Sequence, residues 1–269
     1  ASDVYKRQGQ ALAEWETPFA AQKAAPATGQ GDVALFVGDE AQYLWPDVLP
    51  AVQKLLNSIG LDPVLIGNGR NNGLLATSLG FPETAVNLVQ ATLTELQDCG
   101  AQKLLVLSPG DYFTFKQAID ERLGMTLPPD VELLELVSLL AEEMDAGNLG
   151  FKKGDQSGAY AYVDPTHAVR HPARHTAARQ LAAAVMQEAP RELFFSGERA
   201  HPVGSTHLQF SKPELAEKLT IVRLQDAQKS GANTLVCEDP GTLYQLSQYA
   251  DSYGFTVLSM YELLAMNVL

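Results

Sequence analysis

Cysteine is nearly absent from this 269-residue chain: Cys99 and Cys237 are the only two, one in each half. Such a pair excludes the multi-bridge framework of small secreted domains and suits a reducing compartment, so a cytoplasmic protein is expected. Positive charge is also scarce. Nineteen Lys and Arg stand against 32 Asp and Glu, a formal net charge of −13, which argues against nucleic acid as a partner, because phosphate contact needs clustered cations. No run approaches the roughly 18 consecutive apolar residues of a membrane span. The first thirty residues also lack the apolar centre of a signal peptide. With 46% hydrophobic residues, the chain has material for two cores of ordinary size.

What is present is a repeat. Gly100 to Tyr112 reads GAQKLLVLSPGDY and Gly231 to Leu243 reads GANTLVCEDPGTL, with Gly, Ala, Leu, Pro and Gly in register at an offset of 131. Each copy reads as a buried strand, a tight Pro-Gly turn and a helix, and such turns lie at strand carboxyl ends, where open α/β sheets place ligands. Two copies point to two sites.

Residues 1–31 are rich in Ala, Gln, Gly and Pro without periodicity and read as a linker or the remnant of an upstream module. Residues 32–153 read as one domain: strands at 33–37, 64–66, 104–107 and 131–134 alternate with helices at 47–59, 82–98, from about 113, and 136–145. Residues 154–269 repeat the pattern, with strands at 159–163, 192–195, 234–237 and 256–258 and helices at 173–187, 213–229, 243–251 and from 261. The expected fold class is α/β, two similar parallel-sheet βα-repeat domains related by internal duplication.

The loops that close these strands carry a resemblance. Gly38-Asp39, Asn71-Asn72-Gly73 and Ser108-Pro109-Gly110-Asp111 in the first half are matched by Asp164-Pro165-Thr166, Pro202-Val203-Gly204 and Asp239-Pro240-Gly241-Thr242 in the second. This layout resembles the cysteine-rich CCG family, whose motif is Cys, thirty-odd residues, Cys-Cys-Gly, a similar gap, then Cys-Pro-x-Cys. The intervening stretches are 40–70 and 74–107 in one half, 167–201 and 205–238 in the other. The chain is similar to the iron-sulfur subunits of glycolate and lactate oxidation systems and to the CCG-domain subunit of heterodisulfide reductase. The resemblance implies [4Fe-4S] clusters in relatives, and the subunits of an iron-sulfur or flavin oxidoreductase complex as partners. Every position where the family has a cluster thiolate differs here: Asp39, Asn71, Asn72, Ser108, Asp111, Thr166, Pro202, Val203, Asp239 and Thr242. Oxygen and amide groups do not replace several soft thiolates at once, so no cluster cofactor is expected in this chain. Cys99 and Cys237 fall outside the motif and read as buried core thiols.

Two further groups stand out. Asp39, Asn71, Asn72, Ser108 and Asp111 read either as turn and cap residues or as an oxygen-rich site for a hard cation or small ligand. All five histidines fall in the second half. His167, His171 and His201 are candidate metal ligands, with leftovers of the ancestral site and surface positions as the competing reading. Any retained ligand site is expected at the edge formed by Thr166–His171, 201–204 and 239–242. Two functions follow. One is a redox-inert, cysteine-less CCG-type docking or structural module; the other is a metal- or carboxylate-binding enzyme that reuses the emptied cleft.

Overall fold

The computed structural model describes residues 29–168, 172–205 and 207–269. Its architecture is α/β. The first half forms a parallel sheet in the order β2-β1-β3-β4, from β1 (Val33–Gly38), β2 (Val64–Arg70), β3 (Lys103–Val106) and β4 (Glu132–Glu135). The second forms a parallel sheet β5-β6-β7, from β5 (Tyr160–Tyr162), β6 (Thr234–Cys237) and β7 (Thr256–Ser259). Val33 pairs with Lys103 in β1-β3, and Tyr160 pairs with Thr234 in β5-β6. Since Lys103 and Thr234 are equivalent in the repeat, Val33 answers to Tyr160.

The strands read as continuous apolar runs because both faces are covered. Ala34, Phe36, Leu104 and Val106 face an outer core closed by the helix Pro82–Cys99. Leu35, Val37, Leu105 and Leu107 point the other way, into a core that also holds Tyr160, Tyr162 and Val236 of the second sheet. Between the sheets lies a helical layer drawn from both halves. The helix Val48–Ser58 packs on Met260–Asn267, and Leu136–Asp145 packs on Pro172–Val185. Val52, Leu55 and Leu56 are fully buried there. Each such side chain contributes roughly 1.5–3 kcal/mol, so the halves share a core and do not fold as beads on a string.

Three sequence expectations change. The strand from Val64 does not stop at Ile66; it runs to Arg70, and Phe36 pairs with Ile66 while Gly38 pairs with Arg70, which leaves a bulge at 67–69. Gly67 makes this possible: its φ is +80°, and an added Cβ would lie 2.5 Å from the Phe36 ring. The strand expected at 192–195 does not form. Its backbone is taken by side chains, with Phe195 N–H donating to Asp226 Oδ2 at 2.9 Å and Arg223 donating to Phe195 O. The hydrogen bond from Arg191 N to Tyr160 O, 2.6 Å, marks where a ladder would run. The helices expected from 113 and 243 begin earlier, at Pro109 and Pro240, where Ser108 and Asp239 cap them. Among the described residues, no helix is long and apolar enough to cross a membrane.

Candidate functional site

The loops at the strand carboxyl ends of the two halves do not make two separate sites; they face each other across one narrow cleft of about 40 Å³. From the first half come Asp39, Glu40, Asn71, Asn72, Ser108 and Asp111. The second supplies Thr166, His167, Ser205 and Asp239. Of the other positions that align with the motif's thiolates, Val203 is sealed in the second-half core, Pro202 is exposed, and Thr242 is fully buried behind its helix start.

The first-half groups are bonded to one another. Asn71 Nδ2 donates to Asp39 Oδ2 at 3.0 Å, and its own carbonyl accepts the Gly73 N–H at 2.9 Å. Asn72 repeats the pattern one residue on: it donates to Asp111 Oδ1 at 2.7 Å and accepts from Leu74 N at 2.8 Å. Ser108 Oγ donates to Asp111 Oδ2 at 2.9 Å while accepting the Asp111 N–H at 3.1 Å. Turn chemistry and site geometry are therefore the same atoms: each asparagine shapes its loop with one end and holds a carboxylate with the other.

The Asp111 carboxyl is raised to about 7: burial raises it most, the Asn72 and Ser108 hydrogen bonds pull against that, and Asp39 and Asp239 add to the rise. Burial likewise raises the Asp239 carboxyl; its Oδ2 accepts the Thr242 N–H at 2.8 Å. The described lining contains four carboxylates and no Lys or Arg.

Each half also reaches across. An added Cβ on Gly241 would lie 2.6 Å from Glu40 Oε2, and one on Gly110 would lie 3.4 Å from His167 Cδ2. His167 is stacked on Phe113, centroids 5.1 Å apart. Beneath the cleft, Arg174 Nε lies 2.8 Å from Glu135 Oε1, and its Nη2 pairs with Glu238 Oε1, whose other oxygen takes the Tyr162 hydroxyl. All three charged groups are at most 6% exposed, so this clamp between the halves is desolvated. Beside it, Arg179 holds Asp164 through bonds of 3.0 and 2.9 Å, and Gly197 N–H adds a third at 2.9 Å. Burial works to raise the Asp164 carboxyl, but these bonds outweigh it and keep it low.

The described histidines have separate surroundings. His167 lines the cleft; His201 is exposed and stacked on Phe195 at 4.0 Å; His171 lies outside the described residues. His175 bonds Ala168 O at 2.9 Å. Among the described residues, no group of three or more His, Cys, Asp or Glu is placed to hold a metal ion. An iron-sulfur cluster does not fit the cleft's donors either, which are carboxylate, amide, hydroxyl and one imidazole. Cys99 and Cys237 are 2% and 0% exposed, in the cores of different halves, and burial raises the Cys237 thiol. Sequence reasoning passed over Glu40, Ser205, Arg174, Glu135 and Glu238. Glu40 was findable, since the repeat makes it the equivalent of His167.

No protein-family model matches the chain, and no curated protein matches its sequence. Among solved structures it is similar to a hypothetical protein from Helicobacter pylori, with a TM-score of 0.60 and 12% identity over 94% of this chain and 53% of that one. This chain thus spans about half that protein's length, and the likeness is one of fold. It also superposes loosely on the aspartate racemase of Picrophilus torridus, TM-score 0.41, 12% identity, over 87% of this chain and 91% of that one. The glutamate racemase of Bacillus anthracis gives 0.39 and 14%, over 87% of this chain and 78% of that one. These two superpositions are too loose to carry an argument.

Proposed function

We propose that this chain is a cluster-free relative of the CCG-domain iron-sulfur subunits, a cytoplasmic docking or structural module that carries no electrons itself. Its partners on this reading are subunits of an iron-sulfur or flavin oxidoreductase complex. The observation that supports it is the bonding among the former ligand positions. Asn71 is spent on Asp39, and Asn72 and Ser108 on Asp111, so the side chains that replace thiolates satisfy one another as a set. Anaerobic reconstitution with iron and sulfide tests the reading. No stoichiometric cluster is expected; a stable brown species with cluster absorbance overturns it.

A second reading is favoured by one feature, the Asp111 carboxyl at about 7 inside a cleft that both halves line. On that reading the emptied cleft binds a small polar ligand. Saturable binding of a small ligand, abolished by Asp111→Leu in a protein that still folds, is its test.

A further inference from the structure

We propose that the Arg174 clamp is a proton-operated joint: Glu135 carries a proton in the folded chain, and giving it up loosens the hold of one half on the other.

Charge counting leads there. Glu135 ends β4 of the first half, whereas Arg174 on the helix Pro172–Val185 and Glu238 just beyond β6 belong to the second. Arg174 touches both acids, and all three side chains are buried. Two buried carboxylates against one guanidinium leave one negative charge over. Asp239, the next residue, adds a third acid within reach of Arg174. The hydroxyls of Tyr162 and Tyr261 face the same cluster, as do the Tyr112 hydroxyl and the Cys237 thiol; burial raises all four, so they stay protonated. Arg179, further along the same helix, is taken by Asp164 and Glu192. An ionised carboxylate left unmatched in such surroundings costs so much that it takes up a proton instead.

Hydrogen bonds pick out which acid. Both Glu238 oxygens receive donors, Arg174 Nη2 on Oε1 and the Tyr162 hydroxyl on Oε2, as an ionised carboxylate does. Asp239 Oδ2 accepts the Thr242 N–H. Glu135 has less: Arg174 Nε lies 2.8 Å from its Oε1 but is not aligned for a hydrogen bond. Burial raises the Glu135 carboxyl above its ordinary 4.5 most strongly, Arg174 opposes this, and Glu238 adds to the rise.

Position makes the proton a control. Glu135 immediately precedes the helix Leu136–Asp145, which packs on the helix that carries Arg174, and Glu238 is followed by Asp239, which lines the cleft. Once Glu135 ionises, two like charges face each other across the joint with one cation between them. A carboxyl raised in the folded state contributes fully below about 4.5, and its contribution is lost as pH rises through the folded-state value. Rising pH therefore loosens the joint.

Infrared absorption of protonated carboxyl groups tests this in the full chain carrying Asp111→Asn and Asp239→Asn, since burial raises those two acids as well. A protonated-carboxyl band is expected in this double variant, fading as pH rises and absent once Glu135→Gln is added. In urea, the unfolding constant of the double variant should climb with pH by up to about ten-fold per unit more steeply than that of the triple variant. Amide exchange, corrected for its intrinsic pH dependence, should quicken over the same range in the helices Leu136–Asp145 and Pro172–Val185 and not in Pro82–Cys99, which closes the outer core. A band unchanged by Glu135→Gln, equal pH slopes in urea, or exchange that does not quicken in the two joint helices overturns the proposal. If the triple variant does not fold, the double variant decides: a band that fades with pH together with quickened exchange supports the joint, and absence of the band overturns it.

Discussion

Glu40 and His167 hold equivalent places, seven residues beyond the paired strand positions Val33 and Tyr160, and each lies over the glycine that opens the other half's helix. Glu40 meets Gly241; His167 meets Gly110. The internal repeat thus continues from the strands into contacts that join the halves.

Replacing Gly241 with Ala should disturb the Glu40 contact, because the added Cβ would lie 2.6 Å from Glu40 Oε2. Chemical denaturation should show a loss of about 1–2 kcal/mol for Gly241→Ala, and the double variant with Glu40→Ala should lose less than the sum of the two single changes. Strict additivity would mean that the two residues do not touch.

The clamp should be expensive to break. Arg174→Met leaves Glu135 and Glu238, 6% and 0% exposed, without their cation, and a loss of roughly 3–5 kcal/mol is expected. Adding Glu238→Gln to Arg174→Met should recover part of it. A loss below about 1 kcal/mol, the level of a surface pair, would show that the three groups are solvated in solution.

Much of the fold was legible because both faces of each strand are covered, so β1, β3 and β6 stand out as unbroken apolar runs ended by Gly or Pro. The loop residues were legible for a different reason. Their spacing resembles that of a known motif, although no thiolate stands at its ligand positions. Glu192–Phe195 misled because its composition suits a strand while its hydrogen bonds go to Arg223 and Asp226 on the helix Pro213–Ser230, a partnership invisible in a local window. Arg174, Glu135 and Glu238 were passed over because isolated charges read as surface; only the packing of Pro172–Val185 between the two sheets shows that they meet in the core. The spacing of the histidines suggested a cluster, yet His201 is turned to solvent against Phe195.

The Asp111 carboxyl makes stability depend on pH. Its folded-state value of about 7 lies above the ordinary 3.8, so the folded state holds the proton more tightly than the unfolded one. Its contribution is then complete below about 4 and is lost as pH rises through about 7. Asp39 and Asp239 push the same way, Asn72 and Ser108 oppose them, and Glu40 and His167 share the cleft. Urea unfolding at pH 5 and pH 8 should show wild type losing stability with rising pH more than Asp111→Asn does. Identical slopes would contradict the assignment.

Gly204 should tolerate no side chain. Its φ is +93°, and an added Cβ would lie 2.3 Å from the Ala216 carbonyl oxygen, a backbone atom inside the helix Pro213–Ser230. Gly204→Ala should cost more than about 2 kcal/mol, read as a drop in the unfolding midpoint; a change below about 0.5 kcal/mol would mean that the 201–205 loop moves freely.

On the proposed reading, the cleft occupies the place of a cluster whose ligands have been exchanged for groups that bind each other. Iron and acid-labile sulfide, measured after anaerobic reconstitution in parallel samples of wild type and of a variant with Cys at positions 39, 71, 72, 108 and 111, test it most directly. Background iron is expected in wild type and a bound cluster in the five-cysteine variant, with circular dichroism verifying that both are folded. A stoichiometric cluster in wild type, or none in a folded variant, would contradict it.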